Sequence, residues 1–272
     1  MNERRSTTPF RVFDTPDAIG DQLARELLER IARARDAGKS FILGLPTGRT
    51  PRPIYEAMAN RIAQTKQGLS HLILVMMDEY LVTSGSEFEY APSDAPWSCH
   101  HFARVQIAER INRDLPLDRQ IRKTSIWFPD PSEPVAYDER IRMAGGVDFF
   151  LLASGASDGH VAFNPPGSAR NTKTRIITLS EATRRDNLQT FPSFGRLGAV
   201  PTHGISVGIE TIASAREAAM VVWGESKALT FRRILGAEQY DPSWPATVIH
   251  ECAGGEILSD TAAAAETKSR LS

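Results

Sequence analysis

The central stretch of the chain, residues 146–168, reads GVDFFLLASGASDGHVAFNPPGS. Within it, residues 147–153 form a short, nearly unbroken apolar run bounded by glycines, a pattern typical of a strand buried on both faces of a parallel sheet. Small residues then allow the backbone to turn tightly, and Asp158 and His160 follow with a glycine between them. Because ligands bind beyond the carboxyl ends of the strands in such sheets, we expect chemistry at Asp158 and His160.

Similar apolar runs alternate with helical patterns along most of the chain, and residues 82–96 are predicted to be a loop. This alternation favours one α/β domain over residues 10–272, doubly wound, with a mostly parallel sheet and helices on both faces, as in Rossmann-like folds. Residues 1–9 are predicted to be a mobile tail. The predicted strands are 10–13, 40–45, 71–77, 124–128, 147–153, 174–179, 203–207, 218–223, 248–250 and 256–259, and the longer predicted helices are 18–37, 53–64, 97–111, 134–144 and 262–269.

The composition is that of an ordinary globular protein: of 272 residues, 41% are apolar and 24% are charged, with a net charge of −1. This charge gives no basic field for nucleic acid, and no apolar run reaches the roughly 18 residues that span a bilayer. The N-terminus lacks the apolar segment of a signal peptide. Cys99 and Cys252 are far apart, which favours free thiols in a reducing compartment. We therefore expect a cytoplasmic protein that binds neither nucleic acid nor membranes.

A second motif, residues 46–51 with the sequence PTGRTP, lies between a predicted strand and a predicted helix. We call it the anion loop, because backbone N–H groups, threonine hydroxyls and the start of a helix together suit an anionic ligand. It is not a Walker loop, since no Gly-Lys-Ser/Thr closes it, and an ordinary strand-to-helix turn is the alternative. Asp78 and Glu79 follow the predicted strand 71–77, where two carboxylates are well placed for acid–base chemistry.

Taken together, these motifs resemble the glucosamine-6-phosphate deaminase family and its 6-phosphogluconolactonase relatives. Met-Asp-Glu-Tyr and His-Val-Ala-Phe-Asn are similar to the deaminase branch, whereas lactonases typically have Asp-Glu-Arg and His-Thr-Ala-Ser at these places. The resemblance covers most of residues 40–235. The matching segments, in the family's order, are LGLPTGRTP at 43–51, MDEY at 77–80, DGHVAFN at 158–164, TRIITL at 174–179, VG at 207–208 and GESKA at 224–228.

The resemblance implies an aldose–ketose isomerase and deaminase of amino-sugar metabolism, which turns a substrate such as glucosamine 6-phosphate into a ketose phosphate and ammonia. Asp78 would abstract the C2 proton of the opened sugar. His160, oriented by Asp158, would help to open the pyranose ring. No metal or organic cofactor is implied, because the substrate's own carbonyl acidifies the C2–H bond. Further residues expected to contact the substrate or its phosphate are Thr47, Gly48, Arg49, Thr50, Glu79 and Lys227.

The chain departs from the family pattern at two positions. Pro165 stands where deaminases have a glutamate that assists the histidine, and proline can neither accept nor donate a proton. Gln189 stands where they use an arginine for the phosphate. Arg49 occupies a position in the anion loop that is commonly glycine in the family, and it is expected to compensate in part for the missing arginine.

These departures leave two alternatives open. One is a lactonase-like hydrolase of a sugar-phosphate lactone, which does not need the glutamate. The other is a non-catalytic sugar-phosphate sensor that has retained the pocket. In each case the expected partner is a small sugar phosphate, and assembly as a homo-oligomer is compatible with the sequence.

Overall fold

The computed structural model describes residues 8–265. Most of the predicted tail and the end of the predicted helix 262–269 lie outside these residues. The strands are β1 (Phe10–Phe13), β2 (Phe41–Leu45), β3 (Leu72–Met76), β4 (Asp78–Ser84), β5 (Glu87–Tyr90), β6 (Ile126–Trp127), β7 (Phe149–Ala153), β8 (Arg175–Thr178), β9 (His203–Ser206), β10 (Glu217–Val222) and β11 (Gly255–Asp260). The α-helices are α1 (Pro16–Asp36), α2 (Arg52–Thr65), α3 (Cys99–His101), α4 (Arg110–Asn112), α5 (Pro134–Met143), α6 (Glu181–Thr190), α7 (Ile209–Ala213), α8 (Ala228–Leu235) and α9 (Thr261–Ala264).

Seven strands form one sheet in the order β1-β11-β10-β7-β2-β3-β6, and every neighbouring pair is parallel. The central strands are apolar on both sides because alternate residues enter different cores. Leu43 and Leu151 contribute to one core, whereas Ile42 contributes to the other. The mostly parallel sheet predicted from these runs is confirmed.

Helices cover both faces of this sheet. Residues of α1, α2 and the segment around α3 and α4 share a core with one face, and residues of α5, α7 and α8 share a core with the other. In α1, Leu23, Leu27 and Ile31 are fully buried at helical spacing, and the Thr15 hydroxyl caps the helix by accepting a hydrogen bond from the N–H of Ala18. The strand ends between these layers stay accessible to loops, which is where a site is expected.

A second, antiparallel sheet, in the order β5-β4-β9-β8, was not predicted. The strands expected at 174–179 and 203–207 exist, but they belong to this sheet. The predicted loop 82–96 is wrong over residues 82–90, because β4 continues to Ser84 and pairs with β5 across a two-residue turn. Gly85 has φ +63° in that turn, a conformation that glycine adopts without strain. The second sheet matters for function because β4 begins directly after β3, at Asp78.

Two further segments differ from the prediction. The predicted strand 248–250 is instead part of a 3₁₀-helix, Pro245–Glu251, that begins at a proline and buries Val248 and Ile249. The helix predicted at 97–111 begins after its cap Ser98 and contains a π-helical portion, Phe102–Glu109, between α3 and α4. Within residues 8–265, every helix is too short or too polar to cross a lipid bilayer.

Candidate active site

A cavity lies where the loops after β2 and β7 meet the start of β4, one face of α6 and Lys227. Most of the residues predicted for the site line this cavity. Asp158 does not line it but contacts His160, which does, and Glu79 lies elsewhere. The predicted residues that the fold brings to the wall are Thr47, Gly48, Arg49, Thr50, Asp78, His160 and Lys227.

The imidazole of His160 is held by Asp158. Nδ1 of His160 lies 2.6 Å from Oδ1 of Asp158, and the hydroxyls of Ser180 and Thr183 donate to Oδ2 at 3.2 and 3.3 Å. Burial alone would raise the pKa of Asp158, but the hydrogen bonds and charge of His160 outweigh it and lower the pKa to about 2. Asp158 is therefore ionised and faces Nδ1 of His160, so Nε2 is the ring nitrogen that remains for proton transfer.

Gly155 makes room for this imidazole. A Cβ atom at that position would lie 2.2 Å from Nδ1 of His160, closer than any side chain tolerates. Gly155, one of the small residues that follow β7, therefore allows the imidazole ring to pack against the backbone. Substitution of Gly155 by alanine is expected to displace His160.

Asp78 is 6% exposed and contributes a carboxylate to the cavity. Burial raises its pKa to about 7, and the neighbouring charge of Glu79 acts in the same direction. A hydrogen bond from the Cys99 thiol and the charge of His160 oppose this rise. A carboxylate whose pKa lies near neutrality is suited to act as a general base at physiological pH.

The expectation that Glu79 contacts the substrate is corrected by the structure. Successive side chains of a strand point to opposite sides, so Asp78 and Tyr80 line the cavity and Glu79 does not. Glu79 is fully buried, and its oxygens accept hydrogen bonds from the N–H groups of Cys99 and His100 at 3.0 and 2.7 Å. Nδ1 of His100 lies 2.6 Å from the same carboxylate. Glu79 therefore anchors the start of α3 to β4.

The anion loop is fixed at both ends by bonds that the sequence did not reveal. The Tyr55 hydroxyl donates to the carbonyl of Pro46 at 2.6 Å, and the Trp223 indole donates to the carbonyl of Thr50 at 2.9 Å. The helix α2 begins immediately after the loop, at Arg52. A rigid loop in front of a helix start can hold an anion without first being ordered.

Lys227 brings a cation to the same cavity, and its ammonium group donates to the carbonyl of Ser154. Burial lowers its pKa to about 8, as does the nearby charge of Arg49, whereas Asp186 and Asp158 favour the charged form. Gln189, in place of the family's arginine, also lines the cavity. Lys227 thus adds a second cation beside the anion loop, which itself carries Arg49.

One wall of the cavity is formed by α6, where only Gln189 was expected near the phosphate. Its carboxylate, Asp186, accepts hydrogen bonds from the N–H of Ala156 at 3.3 Å and the hydroxyl of Ser157 at 3.2 Å. Asp158, His160 and Asp186 each have an atom of a type that can bind a metal ion, and these atoms lie within 4.8 Å of one another. For the other cavity residues of α6, Asp186, Asn187 and Thr190, the signal in the sequence was their helical spacing.

Comparison with known proteins agrees with this arrangement. The glucosamine-6-phosphate isomerases/6-phosphogluconolactonase family matches residues 14–258. The glucosamine-6-phosphate isomerase of Candida albicans is 31% identical over 261 residues, which cover 96% of this chain and 98% of the relative. The glucosamine-6-phosphate deaminase of an Exiguobacterium species is 34% identical over 249 residues, 89% of each chain.

Two solved structures are also similar to this chain over most of its length. A monomeric glucosamine-6-phosphate deaminase has a TM-score of 0.78 at 26% identity, covering 94% of this chain and 99% of that one. The 6-phosphogluconolactonase from Trypanosoma brucei has a TM-score of 0.66 at 20% identity, covering 95% and 98%, a likeness that shows the fold alone. The chain belongs to the glucosamine-6-phosphate isomerase/6-phosphogluconolactonase family.

Proposed function

We propose that this protein is a glucosamine-6-phosphate deaminase, an isomerase that converts an amino-sugar 6-phosphate into a ketose phosphate and ammonia. The observation that carries the proposal is the meeting of three groups in one cavity: the carboxylate of Asp78, the imidazole of His160, and the anion loop with Lys227. The relatives named as deaminases and isomerases support the same substrate class.

The first step is the opening of the pyranose ring. His160 moves a proton between the ring oxygen and O1, accepting and donating it at Nε2 while Nδ1 stays hydrogen-bonded to Asp158. The ionised carboxylate of Asp158 stabilises the imidazolium that forms in transit, as a buried carboxylate does in catalytic triads. Asp158 is therefore a supporting group, and His160 is the group that touches the sugar.

The second step is removal of the proton at C2 of the open-chain aldehyde. Asp78 accepts this proton, and the adjacent substrate carbonyl stabilises the resulting enediol-type anion. Return of a proton to C1 gives an imine at C2, and addition of water to that imine releases ammonia and leaves a 2-ketose phosphate. Since the substrate carbonyl supplies the acidity, these steps call on no organic cofactor.

The third part of the proposal is phosphate recognition by the anion loop, Lys227 and Arg49. We expect Arg49→Ala to raise KM about tenfold with little change in kcat. This tenfold change is the lower end of what a hydrogen bond to a charged group contributes, and we choose the lower end because Arg49 is exposed. Steady-state kinetics measure this. Arg52→Ala is the matched control, since Arg52 is a neighbouring exposed arginine outside the cavity. An unchanged KM in Arg49→Ala would remove Arg49 from the site.

The two shifted pKa values predict a narrow pH optimum. Asp78 must be ionised to act as a base, so kcat/KM rises with pH through about 7, and Lys227 must be protonated to bind phosphate, so kcat/KM falls above about 8. Lys227→Arg should extend the basic limb to higher pH, because arginine stays protonated there. The substrate's own ionisations are common to both proteins, so an identical basic limb would exclude Lys227 as its cause.

Ammonia release over a panel of amino-sugar 6-phosphates tests the function itself. We expect turnover of glucosamine 6-phosphate or its C4 epimer. Consumption of 6-phosphogluconolactone in a pH-stat, without ammonia release from any amino sugar, would establish the lactonase alternative. Thermal stabilisation by these ligands without turnover of any of them would establish a sensor. Either outcome would overturn the proposal.

A further inference from the structure

The thiol of Cys99 lies between the proposed base and the anion loop. Its sulfur is 3.4 Å from Oδ1 of Asp78 and 3.5 Å from the hydroxyl oxygen of Thr47. Cys99 is 1% exposed and does not line the cavity, so it does not touch a ligand bound there. A buried cysteine is often an inert packing residue, but this one makes polar contacts with two proposed site residues from different parts of the chain.

The position of this thiol is fixed by the buried carboxylate of Glu79. Glu79 accepts from the backbone N–H of Cys99 and of His100, and from the hydroxyl of Ser98 at 2.9 Å. These bonds join the start of α3 to β4, the strand that carries Asp78. Burial, together with the charges of Glu79 and Asp78, raises the pKa of Cys99 well above its ordinary value. Cys99 therefore stays a neutral thiol, which can donate its proton to a carboxylate.

We propose that Cys99 is a positioning residue for the catalytic base: its S–H donates to Oδ1 of Asp78, which leaves Oδ2 free for the substrate proton, and its sulfur links that carboxylate to Thr47 of the anion loop. The inference rests on the proposed function, because it assigns Asp78 as the base. It gives Glu79 a role as well, as the support that holds Cys99 in place.

The ionisation of Asp78 responds to groups on several elements. Glu79 and Tyr80 follow it on β4, Tyr55 of α2 is close enough for its pKa to respond to Asp78, Cys99 of α3 donates to it, and His160 acts on it from the loop after β7. Among these, the hydrogen bond from Cys99 and the charge of His160 favour the ionised form. Loss of the thiol donor must therefore raise the pKa of Asp78 and shift the onset of activity to higher pH.

Three variants separate the donor from the space that it fills. Cys99→Ala and Cys99→Ser introduce side chains of similar size, of which only serine donates a hydrogen bond. Cys252→Ala is the matched control, because Cys252 is also buried but contacts the carbonyls of Ile212 and Val248, which do not line the cavity. We expect the acid limb of kcat/KM to move up by about one pH unit in Cys99→Ala, a shift in keeping with loss of one weak hydrogen bond to an anion. Cys99→Ser should keep the acid limb close to that of wild type, and Cys252→Ala should leave it unchanged.

A readout independent of turnover keeps this inference distinct from the proposed function. The carboxyl carbon of Asp78 can be titrated by ¹³C NMR of the aspartate-labelled protein, with its resonance assigned from Asp78→Asn. If wild type releases no ammonia, the deaminase proposal fails, and the Cys99 inference then depends on the NMR midpoint alone. A midpoint that is the same in wild type and Cys99→Ala, or that shifts equally in Cys99→Ala and Cys99→Ser, would overturn the positioning role.

Discussion

Asp78→Asn is expected to lower kcat for ammonia release from glucosamine 6-phosphate by about 10²–10⁴-fold, the range that a positioned general base contributes. Asparagine has nearly the shape of aspartate but cannot accept the C2 proton. It also removes a negative charge from a buried site, so binding of the phosphorylated sugar should persist. The variant thus separates proton abstraction from recognition of the substrate.

Two measurements check this result. In deuterated water, NMR should show that exchange of the C2 proton falls with kcat, while thermal stabilisation by glucosamine 6-phosphate remains. Asp118→Asn is the control, because Asp118 is an exposed aspartate outside the cavity. Exchange at the wild-type rate in Asp78→Asn would show that another group removes the proton.

The second large effect is expected at His160. Because His160→Gln cannot shuttle a proton to and from the ring oxygen, kcat/KM for the pyranose should fall by about 10²–10⁴-fold. Ring opening should then limit the rate. Substrate deuterated at C2 should therefore show no primary isotope effect on kcat/KM in this variant, since the C2–H bond breaks after the slow step.

The matched control is His203→Gln. His203 lies on the second sheet, where its ring is 4.8 Å from that of Phe88 and it does not line the cavity. The His203→Gln variant should retain the activity and the isotope effect of wild type. A full primary isotope effect in His160→Gln would place His160 in the C2 step and contradict its assignment to ring opening.

Local sequence pattern predicted the central architecture well, because buried parallel strands are apolar on both faces. The runs that became β2, β3, β7 and β10 each alternate between the two cores. The second sheet escaped prediction for a physical reason. β4 pairs with β9 across a long stretch of sequence, which a local pattern does not reveal. β5 is short and half exposed, so it shows no continuous apolar run.

The cavity wall was predictable where its residues belong to a motif that follows a strand. The anion loop follows β2, Asp78 comes just after β3, and His160 lies in the loop after β7. The carboxyl ends of parallel strands lie at one edge of the sheet, which brings these segments together. Glu79 was misassigned because the direction of a side chain depends on strand register, which the isolated dipeptide does not reveal. Cys99 and Asp186 were missed because their positions are set by tertiary contacts, to Asp78 and to residues 156–157 respectively.

The most direct test of the central claim is a crystal structure of the Asp78→Asn variant with glucosamine 6-phosphate. The account predicts one bound sugar in the cavity, with its phosphate on the anion loop and Lys227, its C2 facing the side chain at position 78, and its ring oxygen or O1 within hydrogen-bond reach of His160. A sugar bound with its phosphate away from the anion loop, or one that cannot reach position 78 and His160 together, would contradict it.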